Sequence, residues 1–232
     1  MSTRSYNQYC GLAYALDRVG ERWTLLIVRE LVAGPRRFTD LIDGLPGIST
    51  NLLTTRLKDL EQWGLVKRRV LLPPAGSTVY ELTPLGRGLE SALLELGRWG
   101  SQFVPPTWEG AALLRLGSYA LTFKTFFRED LAQDVYETYE LHIDNDVLQV
   151  QIQDGAIDVR QGQISVPDAV FHLSMEVFMA LMGRRLPPDQ AIKQGLVEVE
   201  GEAAALGRLL ALCGLPEEPA DDAACLQVKN VA

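Results

Sequence analysis

Between residues 49 and 63 the chain carries short polar side chains and one cation at a spacing that suits reading donors and acceptors on another molecule. Leu52, Leu53, Leu57 and Leu60 fall on one face of a helix running to Trp63, and Thr50, Asn51, Thr54, Thr55 and Lys58 fall on the opposite face. Short hydroxyl and amide side chains approach base edges closely, and an ammonium group meets phosphates. Ser49 is placed to cap this helix and Gly64 to stop it, which gives a rod of roughly 20 Å, enough to lie in a groove. A second set of donors follows. Lys67, Arg68 and Arg69 lie in a strand over Leu65–Leu72, a turn passes through Pro73-Pro74-Ala75-Gly76 and Ser77, and the chain returns along Thr78–Leu82. Cations on such a hairpin suit phosphate or minor-groove contacts, with Ser77 and Thr78 adding hydroxyls near its tip. Upstream of these, the Arg36-Arg37 pair stands just before a short helix over Phe38–Ile42 with Thr39 at its beginning. A helix pair followed by a basic hairpin is an arrangement that presents one helix to the major groove of double-stranded DNA and a wing to the flanking backbone. Arg56 lies beside the leucine face and reads as a structural ion-pair former.

Other elements must hold this pair in place. Tyr9–Val19 has helical apolar spacing and stops at Gly20; Trp23–Ala33 follows, with Trp23, Leu26, Ile27 and Leu31 expected inward. Gly34-Pro35 ends that helix, and Gly44, Pro46 and Gly47 form the turn before Ser49. Thr83-Pro84 opens a further helix, expected to be continuous, whose stripe of Leu89, Leu93, Leu96 and Trp99 exceeds what a small core needs and suggests a dimer interface.

The net charge of −8 is divided unevenly: residues 1–110 hold 13 Lys+Arg against 11 Asp+Glu, and residues 111–232 hold 9 against 19. A mildly basic half joined to an acidic half predicts two modules, the acidic one facing away from DNA. The apolar runs are far too short to span a bilayer, and MSTRSYNQYCG lacks a signal-peptide core, so a cytoplasmic protein without membrane contact is expected. Cys10, Cys213 and Cys225 have no metal or disulfide spacing and are expected to be reduced.

Pro105-Pro106 marks the expected boundary, which divides the chain into residues 1–104, 105–215 and a polar tail, 216–232. Beyond it, an apolar helical pattern runs from Trp108 to about Leu131. Tyr139, Leu141 and Ile143, then Leu148, Val150 and Ile152, then Ile157 and Val159 alternate with polar residues, as an antiparallel meander does. Another strand over Ala169–Ser174, a helix containing Phe178, Leu181 and Met182, the segment Asp189–Gln194, a strand over Leu196–Glu200 and a helix over Glu202–Cys213 complete an α+β fold. His142 and His172 sit in strand patterns and read as ordinary strand residues. Glu217-Glu218 and Asp221-Asp222 lie in the tail. With no nucleophile elbow, phosphate loop or dinucleotide fingerprint, the sequence predicts neither an enzyme nor a cofactor or metal site.

Residues Tyr9 to about Gly100 resemble HxlR-type (MarR-like) winged helix-turn-helix transcriptional regulators. The matching elements are Cys10, GERW at 20–23, GPRRFTDL at 34–41, Ile48-Ser49, Leu52, Arg56-Leu57, Leu60-Glu61, GLVKR at 64–68, YELTPLG at 80–86 and Trp99-Gly100. The resemblance implies a homodimer built by the first and last helices, a palindromic operator, a recognition helix beginning at Ser49 and a wing carrying Arg68 and Arg69. The tip PPAGST looks slightly longer than the family's usual wing. Some members sense oxidants or electrophiles through a cysteine before the first helix, where Cys10 stands; the alternative is an unreactive thiol at the dimer interface.

Asp168–Leu212 resembles the end of sterol carrier protein 2 (SCP2)-like domains, through the PDA step, MEVFMALMGR, PPDQAIKQG and LVEVEG. That resemblance implies an apolar cavity for a small lipid-like effector, with Phe171, Met175, Phe178, Met179, Leu181 and Met182 as lining candidates, or else as plain core. The expected function is operator binding modulated by such a ligand. The alternatives are thiol sensing at Cys10, and a lipid carrier whose winged helix only dimerises.

Overall fold

A computed structural model describes residues 5–72, 76–104 and 116–214. The expected wing-tip residues 73–75, the boundary and first helical turns within 105–115, and the tail with Cys225 and the acidic pairs lie outside the described residues.

The N-terminal half runs α1 (Gly11–Val19), α2 (Thr24–Val32), β1 (Arg36–Arg37), α3 (Phe38–Gly44), α4 (Thr50–Gln62), β2 (Val66–Val70), β3 (Thr78–Leu82), α5 (Pro84–Arg87) and α6 (Glu90–Gly100). The three strands form one antiparallel sheet in the order β1-β3-β2. Leu53, Leu57 and Leu60 of α4 pack with Ile27, Val28 and Leu31 of α2 and Leu41 of α3, all fully buried. The expected helix after Thr83 is interrupted: α5 ends at Arg87 and α6 begins at Glu90. Gly88 and Leu89 donate to the carbonyls three residues back, Leu85 and Gly86, which tightens the chain between the two helices; Gly86 itself lies so close to Leu65, just before β2, that a Cβ would sit 2.0 Å from the Leu65 carbonyl oxygen. Ile27 and Leu31 are buried as expected, whereas Leu26, also expected inward, is 40% exposed, and Val28 and Val32 complete the buried face of α2.

The C-terminal half contains α7 (Leu116–Thr125), β4 (Tyr136–Ile143), β5 (Asp146–Gln153), β6 (Ala156–Gln161), β7 (Ala169–Leu173), α8 (Met175–Met182), α9 (Pro188–Lys193), β8 (Val197–Gly201) and α10 (Ala204–Cys213). Its sheet has the order β6-β5-β4-β7-β8. The meander is antiparallel, and β4 and β7 add one parallel pairing, reached by the long return after β6. The expected helix to Leu131 stops at Thr125; Glu129–Leu131 form a separate 3-10 turn, where the Arg128 N–H donates to the Leu212 carbonyl at 2.8 Å. One sheet face (Tyr139, Leu141, Leu148, Val150, Phe171) is covered by Tyr119 and Phe123 of α7, Phe178 of α8 and Leu209 of α10.

The two cores meet along α7. Leu121 packs on the N-terminal core, and Ala33, just past α2, belongs to the C-terminal one. Lys124 pairs with Glu90 of α6 at 2.6 Å, and Arg98 of α6 donates to the Thr125 carbonyl at 2.9 Å.

Candidate nucleic-acid interface

Helix α4 owes its boundaries to local chemistry. The Ser49 hydroxyl accepts from the Leu52 N–H at 3.3 Å, and Gly64 at φ +68 supplies the left-handed residue just beyond the helix. Because its leucines are consumed by the core, Thr50, Asn51, Thr54, Thr55 and Lys58 stand exposed on the other side. Thr54 and Thr55 donate to the carbonyls of Thr50 and Asn51 at 2.8 and 2.9 Å. This back-bonding commits their protons and leaves hydroxyl lone pairs and methyl groups facing out. Lys58 forms no ion pair among the described residues, so its charge is available to an anion.

The turn before α4 is braced by a residue that sequence reasoning placed only in the core. Trp23 adopts φ +78, a left-handed conformation that costs a non-glycine residue roughly 1–2 kcal/mol. Its ring closes on Gly47, and the Arg22 guanidinium lies 5.3 Å from the ring centre.

Arg36 and Arg37 part company. A strand sends successive side chains to opposite faces, and β1 puts Arg37 outside and Arg36 inside. Arg36 is 6% exposed and donates to the Gln161 side-chain oxygen and, at 3.4 Å, to the Glu30 carbonyl. Its assignment to the DNA-contacting set is therefore corrected. Burial lowers its pKa, against the opposing fields of Glu30, Asp40 and Asp146. Arg37 and Thr39 are exposed beside Asp40, which accepts from the Arg37 N–H at 2.9 Å.

On the wing, Arg68 and Arg69 are exposed and point to opposite faces of the hairpin, as neighbours on a strand must. Each already has a carboxylate. Arg68 grips Glu61 with two bonds of 2.6 and 3.0 Å, which raise its pKa, and Glu81 receives Arg69 at 3.0 Å and Lys67 at 3.1 Å. Burial works to raise the Glu81 pKa, but the hydrogen bonds from Lys67 and Arg69 prevail and lower it. Glu61 and Glu81 were missed in the sequence; the signal available was that Glu81 faces Lys67 across the hairpin. Thr78 is exposed, while Ser77 is half-buried and its hydroxyl has no partner among the described residues. Arg56 meets Glu21 at 2.8 Å, Asp59 at 3.3 Å and the Arg22 carbonyl at 3.4 Å, the ion-pair role expected of it.

Two further features flank this surface. Cys10 is exposed at the start of α1, and the backbone N–H groups of Ala13 and then Leu12 hold its thiol pKa below the ordinary value, whereas burial pushes that of Cys213 up. Tyr6, Tyr9, Leu12 and Leu16 near α1, and Leu96, Trp99 and Phe103 at the end of α6, expose apolar surface.

The candidate cavity residues lie elsewhere. Phe171, Phe178, Leu181 and Met182 are buried in the core, with the Phe178 ring 5.3 Å from Tyr119 and 5.7 Å from Phe123. Met175 and Met179 are half-buried, and Met175 accepts from the Tyr119 hydroxyl at 3.1 Å. A groove of about 560 Å³ opens instead beside α10, lined by Leu131, Val135, Tyr136, Arg208, Ala211 and Leu212. Arg208 crosses it to Glu137 at 2.8 Å and Glu202 at 2.9 Å. The parallel pairing of β4 with β7 stacks His142 on His172, 4.3 Å apart, with Glu140 2.6 Å from the first and Glu200 3.3 Å from the second. Glu140 stands two residues before His142 on the same strand, whereas the fold brings Glu200 to His172 across the β7–β8 pairing. No group of three or more metal-ligating side chains among the described residues could hold a metal ion.

Comparison with known proteins agrees with this geometry. The HxlR-like helix-turn-helix family model matches residues 18–107, and that of the SCP-2 sterol transfer family matches residues 123–213. The HTH-type transcriptional regulator YodB of Bacillus subtilis is 38% identical over 92 residues, 40% of this chain and 82% of that protein. YvaP of the same organism, described as an uncharacterized HTH-type transcriptional regulator, is 36% identical over 94 residues, 40% of this chain and 87% of its own. A solved structure of the reduced form of YodB is 36% identical and covers 43% of this chain and 99% of that one, with a TM-score of 0.38. The chain belongs to the HxlR-like helix-turn-helix family of transcriptional regulators, with an SCP-2 sterol transfer family segment joined behind it.

Proposed function

We propose that two copies of this chain bind a palindromic operator, each laying α4 in a major groove and its wing along the flanking backbone. The observation that carries this reading is the exposed row from Thr50 to Lys58, held rigid by a leucine core on its other side and free of acidic partners at Lys58. Thr50, Asn51, Thr54 and Thr55 would read base edges, while Lys58, Arg37, Arg68 and Arg69 would hold phosphates, with Thr39, Ser49, Ser77 and Thr78 in supporting contacts. Apolar side chains on α1 and α6 would pair the two copies, which places their recognition helices on one side of the duplex. No helix among the described residues is long and apolar enough to cross a membrane. Operator binding assigns the protein to the cytoplasm. The functional division follows the expected modules: residues 1–104 bind DNA and dimerise, and residues 105–215 take a small apolar effector that favours one arrangement of the recognition helices. Selection from randomised duplexes tests this reading. It predicts an inverted repeat with half-sites about one helical turn apart; enrichment of no sequence would leave a lipid carrier with a dimerisation scaffold.

One observation favours a second mode of control. Among the described residues, Cys10 is an exposed thiol whose surroundings favour the thiolate, the form that reacts with oxidants and electrophiles. Operator release by diamide should vanish in Cys10→Ser, and release that persists in this variant would remove the thiol from the mechanism.

A further inference from the structure

Strand β1 is two residues long, yet it joins three parts of the molecule. Through its backbone Arg36 pairs with Tyr80 and Arg37 with Val79, so β1 is tied to the wing. Arg37 directly precedes α3, the helix that leads through the turn at residues 44–49 into α4. Through its side chain Arg36 reaches Gln161 at the end of β6, in the C-terminal half. The Gln161 backbone N–H donates to the Ala33 carbonyl at 3.0 Å, closing the same junction a few residues ahead of β1.

A buried guanidinium has N–H groups that must all find acceptors, and it cannot shed its charge to escape the requirement. Here one strong acceptor is a neutral side-chain oxygen from the other half of the chain, and another is the Glu30 carbonyl of α2. Without the Gln161 oxygen the guanidinium has to turn toward another acceptor. A two-residue strand offers little resistance to that movement, and α3 follows it.

We propose that the C-terminal half positions the DNA-reading helices through the contact between Gln161 and Arg36, which makes Arg36 a positioning residue and Gln161 its remote determinant. This rests on α4 being the helix that reads DNA. Base-edge contacts depend on angle as well as distance, whereas phosphate contacts tolerate small shifts. Displacing β1 and α3 therefore weakens binding to a selected sequence while leaving binding to random duplex largely intact. Any event in the C-terminal half that moves the end of β6 acts on operator affinity by the same route.

The test uses the full chain, a duplex selected by the wild type and a random-sequence duplex of equal length, at one salt concentration. Gln161→Ala should lower the ratio of selected to random affinity about tenfold, the scale of one well-formed base contact. Gln161→Glu, which keeps an acceptor oxygen, should restore it. Arg36→Ala combined with Gln161→Ala should cost no more than the larger single change. An unaltered ratio in Gln161→Ala, or additive losses in the double variant, would overturn the proposal. Hydrogen exchange keeps the question open to decision even if α4 proves not to read DNA. Amides of residues 37–44 should exchange about tenfold faster in Gln161→Ala and return in Gln161→Glu, and unchanged exchange there would also overturn it. Failure of the wild type to select any sequence, with the exchange effect present, would instead count against the reading of α4.

Discussion

The Glu30 carboxylate lies against the backbone of Gly117: a Cβ on that glycine would sit 2.6 Å from it. Glu30 is buried on α2, forms an ion pair with Arg29 at 2.7 Å, and also faces Gly44 at the end of α3. One carboxylate thus fills the space where α2, α3 and α7 converge, and that space exists because two of the three helices present glycine.

Gly117→Ala should therefore destabilise the fold by about 1–3 kcal/mol, the usual effect of overpacking, with the Glu30 side chain displaced. Gly86→Ala should cost more. Its Cβ would meet the Leu65 carbonyl oxygen at 2.0 Å, and a backbone atom cannot rotate away as a carboxylate can. Urea unfolding of both variants checks the order.

Lys67, Arg68 and Arg69 are each paired with a carboxylate in the free chain, so, if the wing holds phosphates as proposed, those carboxylates compete with them. Arg68→Ala should weaken binding about equally for all duplexes and lower the salt slope by about 1. Glu81→Gln should do the reverse, since it releases both Lys67 and Arg69. Titrations of selected and random duplexes across a salt series distinguish these from changes on α4.

The two described cysteines should respond to pH in opposite ways. In a Cys225→Ser background, Cys10 should react with iodoacetamide at a rate whose midpoint lies below about pH 8.5, the ordinary thiol value. Cys213 should be protected until unfolding. Because burial raises the Cys213 pKa, its thiol form stabilises the fold fully below the unfolded thiol value. That contribution is lost as pH climbs past it, at up to about 1.4 kcal/mol per pH unit. Cys213→Ala should flatten the loss of stability between about pH 8.5 and 10; an unchanged slope would assign it to other groups.

Pairing of two copies through α1 and α6 predicts that Trp99→Glu, at a position 61% exposed in the single chain, converts a dimer to a monomer without unfolding it. Sedimentation velocity at micromolar concentration measures this directly, and a dimer that survives the change would place the interface elsewhere.

Helix α4 and its exposed row were legible in the sequence because each determinant is local: a serine cap, leucines at helical spacing and a terminal glycine within sixteen residues. The hairpin was legible for the same reason. What was not legible depends on partners distant in sequence. Arg36 and Arg37 look alike until a two-residue strand separates them, and the acceptor for Arg36 stands 125 residues away. His142 and His172 meet only because β7 returns parallel to β4. The break between α5 and α6, where Leu89 donates to the Gly86 carbonyl three residues back, is one that helical periodicity cannot report. The cavity candidates illustrate a different limit: Phe, Leu and Met suit a ligand pocket or a core equally well, and packing placed Phe171 of β7 and Phe178, Leu181 and Met182 of α8 in the core.

Whether α4 reads DNA is decided by comparing wild type with the Thr54→Ala/Lys58→Ala variant on a selected duplex and a random one. Both side chains are exposed and outside the core, so the variant should keep the wild-type unfolding midpoint. Base reading by α4 predicts a loss of selected-site affinity of at least tenfold, against about one unit of salt slope on random duplex from Lys58 alone. Equal selected-site affinity in the two proteins would contradict it, because α4 would then not be the helix that reads DNA.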